Sequence, residues 1–169
     1  VEAAQFAAKT ASDNGINTMS NFFDSELAQK IRAEYGPASV VTATRVFANI
    51  DDVADITDGF RALMSDDGVF VFETGYLADI LEDALFETIY HEHLSYDSAK
   101  PLVNFFLNHG MELIDIERIP IKGGSLRGIV QIAGGPRKVS PSVAKLVDFE
   151  VKLGLDRPGI FADLNRRLE

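Results

Sequence analysis

Apolar residues recur along this chain with two periods, one helical and one strand-like, and the two alternate. Residues 4–13 predict a helix with Phe6, Ala7 and Ala11 on one face, stopped by Asn14-Gly15. Ile16 to Met19 reads as a short strand. Asp24 or Ser25 caps a helix carrying Leu27, Ala28, Ile31 and Tyr35, closed by Gly36-Pro37. The β-branched run Ser39 to Ala43 reads as a strand buried on both faces. Asp51 or Asp52 starts a helix with Val53, Ile56, Phe60, Leu63 and Met64 at helical spacing. Asp67-Gly68 turns into a strand at 69–73, and an amphipathic helix runs from Leu77 to Leu85. Ser98 to Pro101 opens a helix through Leu107, ended by Gly110. Residues 112–118 alternate as a strand with one flaw: Leu113 has no apolar partner at 115. A loop at 120–125 leads to the last strand, 126–132. Ser140 or Ser142 caps a helix to Leu153, and another follows Pro158.

Strands alternating with helices imply an α/β fold, a mainly parallel sheet with helices on both faces. The last two strands are joined without a helix, so a hairpin there makes one of them antiparallel. Gly134-Gly135-Pro136 is the one boundary the composition offers. It divides a domain at 1–133 from a helical linker at 134–169 that leads into a further domain. Val1 starts inside a helical pattern, and Leu168-Glu169 closes an unfinished helix, so the chain is expected to be a piece of a longer protein.

Composition narrows the partners. The 169 residues carry a net charge of −10, and so acidic a surface repels phosphate backbones and anionic lipid; nucleic acid and membranes are not expected partners. No apolar run reaches the ~18–20 residues of a membrane-spanning helix. The absence of cysteine excludes disulfides and thiolate metal sites within these residues and fits a cytoplasmic protein.

Chemistry concentrates at Tyr90-His91-Glu92-His93, which holds two of the three histidines. Groups that give, take and hold protons near neutral pH stand together just past an apolar strand, where an open α/β sheet forms its pocket. An extended segment would point His91 and His93 to one side and Tyr90 and Glu92 to the other; a helical one would bring Tyr90 and His93 together. A structural role and a zinc pair, since His-x-His is a metal-ligand spacing, stand beside the catalytic reading. His109, at a helix end, reads as a C-terminal cap. Lys122-Gly123-Gly124-Ser125-Leu126-Arg127 joins two cations to a backbone able to approach an anion closely; a tight turn is the plainer reading.

Four segments carry a more specific resemblance: Gly68 to Glu73, Tyr76-Leu77, Phe86 to Tyr96, and Ile121 to Arg127. Together they resemble the sugar C-methyltransferases, S-adenosylmethionine-dependent enzymes that methylate a ring carbon of nucleotide-linked keto-deoxysugars. The resemblance implies a Rossmann-like methyltransferase sheet, incomplete here on its N-terminal side. In that family a small zinc module, the methyltransferase domain and a second α/β domain follow in order. This chain would begin at the end of the methyltransferase domain's second strand, after the Gly-rich cofactor loop, and stop as the last domain begins. Methylating carbon beside a ketone needs a base and an oxyanion stabiliser. The resemblance implies His93 as the base, Glu92 to orient it or bind sugar, Tyr90 at the ketone or enolate oxygen, and His91 as a second candidate for either task. Tyr76, Lys122, Gly124, Ser125 and Arg127 would hold the nucleotide-sugar. Glu2 would grip the cofactor's ribose, Asn21 and Phe22 would meet its adenine, and Thr44, Arg45 and Asn49 would complete its site; these last three stand at the polar places of a family pattern resembling Asn-Asn-Val-Phe-Ala-His. With strands one and two absent, Ser39–Ala43 would expose an unpaired apolar edge. Residues 16–19 would shift to cover it or be poorly ordered, or a second chain would pair with it. The rival functional reading is a methyltransferase-like domain that binds a nucleotide-sugar or protein partner without turnover.

Overall fold

The computed structural model describes residues 1–168; Glu169, at the end of the helix expected after Pro158, lies outside the described residues. Seven helices and four strands follow in the order α1 (Gln5–Asp13), α2 (Ser25–Tyr35), β1 (Ala38–Thr44), α3 (Val53–Leu63), β2 (Met64–Gly75), α4 (Leu77–Glu82), α5 (Ala99–Asn108), β3 (Met111–Ile119), β4 (Ser125–Ile132), α6 (Pro141–Leu153) and α7 (Gly159–Leu168) among the described residues. Short 3₁₀ turns at Phe47–Asn49 and Phe86–Thr88 interrupt the connections. Caps set several starts. The Asp24 carboxylate accepts from the Leu27 amide at 2.7 Å, and that of Asp52 from the Asp55 amide at 2.9 Å, each contributing about 1 kcal/mol. Gly36 (φ 83) and Gly154 (φ 84) close α2 and α6 in conformations that favour glycine.

The sheet has the order β1-β2-β4-β3. β1 runs parallel to β2, while β4 is antiparallel to both β2 and β3, so β4 is the one reversed strand. The expected hairpin is therefore present. The flaw anticipated after Leu113 is a β-bulge: pairing with β4 skips from Leu113 to Asp115, and the extra residue Ile114 is buried beside Leu113. No turn separates Asp67-Gly68 from the strand, a correction to the sequence reading: β2 runs unbroken from Met64, with a register shift against β1 between the Ala38–Met64 and Val40–Val69 pairs.

One face of the sheet is the core. Phe70 and Phe72 project from β2 into rings from α3, α5 and the 47–49 turn: Phe60 lies 4.3 Å from Phe70, Phe47 5.7 Å and Phe106 5.5 Å from Phe72, centroid to centroid. Such pairs add about 0.5–1.5 kcal/mol each beyond their burial. The opposite face, with Val69, Val71 and Ile129, is only half-buried, and Val40 on β1 is 57% exposed. The sequence reading of Ser39–Ala43 as buried on both faces, and of helices on both faces, is corrected here. The chain advances across the sheet in one direction, β1 to β2 to β3, and right-handed crossovers in one direction place their helices on one side.

Three further departures have local causes. Ile16–Met19 is not a strand; its Met19 carbonyl instead accepts from the Glu2 amide at 3.0 Å, and β1 pairs with β2 alone among the described residues. Phe6 and Ala7 are exposed, and α1 turns Ala8 inward instead. α4 stops at Glu82, three residues early, because Ala84 adopts φ 51. Beyond Gly134-Gly135-Pro136, α6 packs along β3 and α5 and contributes Val143 to the same core. The Ser140 amide donates to the Ile114 carbonyl at 2.7 Å, covering part of the β3 edge.

Candidate active site

The carboxyl ends of β1 and β2 and the tip of the β3–β4 hairpin enclose a small cleft. Its lining includes Arg45 and Asn49 after β1, Thr74 and Gly75 at the end of β2, His93, Ser95 and Tyr96 from the segment before α5, and Lys122 and Gly124 from the hairpin. A parallel pair ending in a cleft is the usual ligand position of an open α/β sheet.

The tetrad is neither strand nor helix but a turn, closed by the His93 amide donating to the Tyr90 carbonyl at 3.1 Å. The turn brings Tyr90 and His93 together, their rings 4.3 Å apart. His93 Nδ1 lies 2.9 Å from the Thr88 carbonyl oxygen. A carbonyl only accepts, so Nδ1 carries the hydrogen and Nε2 of the neutral ring presents its lone pair. The Tyr90 hydroxyl stands 3.1 Å from that Nε2 and donates to it. Tyr96 braces the same carbonyl through its hydroxyl at 3.3 Å. The segment is tied to the far wall by the Leu94 amide, which donates to the Ala48 carbonyl at 2.6 Å. Glu92 and His91 face solvent.

The remaining candidates divide. Lys122 and Gly124 line the cleft. Ser125 is fully buried and acts indirectly: its hydroxyl donates to the Ile121 carbonyl at 3.0 Å and accepts from Arg45 Nη2 at 2.7 Å. Arg127 does not line the cleft; it is held by Glu117 at 3.0 Å and Glu73 at 3.3 Å. Tyr76 is a correction: at 0% exposure it belongs to the core, its ring 5.7 Å from the Arg118 guanidinium. Burial, and then the Glu150 carboxylate, push its hydroxyl pKa up. Of the cofactor set, Arg45 and Asn49 reach the cleft. Thr44 is exposed beside it, while Glu2, Asn21 and Phe22 are exposed outside its lining; Glu2 accepts from the Ala4 amide at 2.8 Å. Among the described residues no three His, Cys, Asp or Glu side chains gather as metal ligands.

Sequence reasoning missed Thr88, which acts through its backbone and leaves no side-chain signature. It also missed Asp97, whose carboxylate accepts from the Thr74 hydroxyl at 2.5 Å behind the cleft floor. Burial pushes the Asp97 carboxyl pKa up, against the pull of Thr74.

No family model matches the chain. It is similar to the C-methyltransferase NovU of Streptomyces niveus, with 33% identity over 155 residues, 92% of this chain and 37% of that protein. Nearly all of this chain is thus similar to one part of a C-methyltransferase. It spans little more than a third of the relative's length. The methyltransferase fold is seen in solved structures as well. An S-adenosylmethionine-dependent methyltransferase from Anabaena variabilis ATCC 29413 matches with a TM-score of 0.56 at 15% identity, covering 78% of this chain and 66% of that one. The mitomycin 7-O-methyltransferase MmcR matches with a TM-score of 0.51 at 14% identity, covering 74% and 38%.

Proposed function

We propose that this chain carries the proton-abstracting half of an S-adenosylmethionine-dependent C-methyltransferase acting on a nucleotide-linked keto-deoxysugar. The supporting observation is the Thr88–His93–Tyr90 arrangement at the cleft. With Nδ1 committed to the Thr88 carbonyl, Nε2 takes the proton from the carbon beside the substrate ketone, and the same carbonyl steadies the imidazolium that results. Tyr90 is half-exposed at its turn and swings aside as substrate enters. Once Nε2 is protonated, the phenol oxygen can accept from it instead of donating. Lys122 and the Gly123-Gly124 backbone stand where the nucleotide-linked portion would lie.

The residues present fit one wall of a cofactor site. Thr44 and Asn49 stand exposed at the carboxyl end of β1, and neither side chain makes a hydrogen bond among the described residues. When bound, the cofactor supplies an electrophilic methyl group. Thr44 and Asn49 would orient its polar groups, and His93 would leave the substrate carbon as the nucleophile.

The proton step can be measured without the cofactor. In D₂O the chain is expected to promote deuterium entry at the carbon beside the ketone of dTDP-4-keto-6-deoxyglucose, followed by NMR. His93→Gln should slow entry by about 10²–10⁴-fold, and Tyr90→Phe by much less. Equal rates for wild type and His93→Gln would overturn the assignment.

A further inference from the structure

The chain carries 26 acidic residues and a net charge of −10, yet among the described residues no Asp or Glu lines the His93 cleft, whereas Arg45 and Lys122 both do. Arg45 is placed there by its backbone. At φ 55 it turns the chain out of β1 while its amide still donates to the Glu73 carbonyl at 2.7 Å. Its guanidinium is then fastened on two sides. Nη2 donates to Ser125 Oγ at 2.7 Å and to the Ile121 carbonyl at 3.1 Å, and Nε lies 3.6 Å from the Glu73 carboxylate. Nη1 has no hydrogen-bond partner among the described residues. A planar cation held by two of its nitrogens presents the third in a fixed direction, which is what a pre-organised oxyanion stabiliser requires. Glu73 and Glu117 between them balance Arg45 and Arg127, and Lys122 adds a second cation to the cleft lining. Tyr90, by contrast, spends its hydroxyl hydrogen on His93 in the free cleft and stands aside once substrate has entered.

We propose that Arg45 and Lys122 make the cleft an oxyanion site, and that Arg45 Nη1, not Tyr90, receives the charge formed on the substrate's carbonyl oxygen. This rests on the reading of His93 as base. The C–H bond breaks and its proton forms the N–H bond at His93 Nε2. The electron pair moves into the new carbon–carbon double bond, and the displaced carbonyl π pair settles on oxygen against the guanidinium.

Acetate is a suitable probe, since its anionic oxygen sits on a trigonal carbon as an enolate's does. With only three histidines, the ring Cε1–H signals of His91, His93 and His109 can be followed separately at constant ionic strength. Acetate is expected to move the His93 signal saturably and leave exposed His91 unmoved. Arg45→Asn removes the charge while keeping a residue that tolerates the left-handed backbone, and should weaken acetate about tenfold or more. Lys122→Asn should weaken it less. The His109 signal, set by Asp58 2.9 Å away on the other side of the molecule, reports whether the fold survives; if Arg45→Asn displaces it, Lys122→Asn carries the test. A non-saturable response, or unchanged affinity in the variant that keeps its fold, overturns the site. Acetate binding without deuterium entry would remove His93 as base and keep the anion site. Deuterium entry without acetate binding would do the reverse.

Discussion

His93 is held by partners of two kinds, a carbonyl that can only accept and a phenol that can do either, and this asymmetry makes one nitrogen an anchor and the other a proton acceptor. The imidazole and phenol were legible in the sequence because their residue types announce proton chemistry; the anchor was not, since any residue at position 88 would supply a carbonyl. Asp97 was overlooked for a similar reason, as a lone Asp among many. Its pKa is raised by burial from the ordinary 3.8, so folding favours the protonated form. That contribution is fully present below pH 3.8 and is lost as pH rises through the folded value. Asp97→Asn, whose amide oxygen can still accept from Thr74, should therefore stabilise the protein at pH 7 by on the order of 1 kcal/mol. The gain should fade in urea denaturation at pH 3.5. Gly124 is constrained by space: an added Cβ would lie 2.1 Å from the Asp79 carboxyl carbon, at φ 116. Gly124→Ala should cost roughly 2–4 kcal/mol, visible as a lowered melting temperature.

Helices and strands were legible wherever a cap or a period marked them, as at Asp24, Asp52 and Ser140. Even the bulge at Ile114 was foreshadowed by the broken alternation after Leu113. What the sequence hid was contact between distant elements. The N-terminus of α5 has no cap from Ser98; the Glu150 carboxylate of α6 reaches it instead, accepting from the Ala99 and Lys100 amides at 2.5 and 2.9 Å. A buried carboxylate on two amides at the positive end of a helix dipole is well placed. No local motif reveals it, because the partners are about fifty positions apart. Glu150→Ala leaves those amides buried and unpaired and should cost about 3 kcal/mol in urea denaturation. Glu150→Gln should recover much of that loss by accepting at least one of the two bonds.

At the scale of the molecule, β1 is an open edge carrying exposed Val40, next to a half-covered sheet face. The expectation of an unpaired apolar edge agrees with this arrangement, but the sequence pattern alone had read the same residues as doubly buried. A hydrophobic run records what a strand is suited to pack against, not whether that neighbour is present. The chain is accordingly expected to self-associate as concentration rises. Val40→Lys should suppress this in sedimentation velocity without changing the circular dichroism spectrum. Hydrogen exchange along β1 should alternate, slow for amides directed at β2 and fast for those directed outward.

The reversal of β4 also governs where novelty can enter. Both rails of its hairpin are locked into the sheet by registered ladders, from Met111–Ile132 to Ile119–Ser125 on one side and from Phe70–Val130 to Gly75–Ser125 on the other. Only the few residues between Ile119 and Ser125 lie outside these ladders, and Lys122 and Gly124 among them line the cleft with His93. Insertions at that single spot would deepen or narrow the chamber while the framework stayed untouched, so relatives that accommodate bulkier or slimmer molecules should differ first in how far this bend extends.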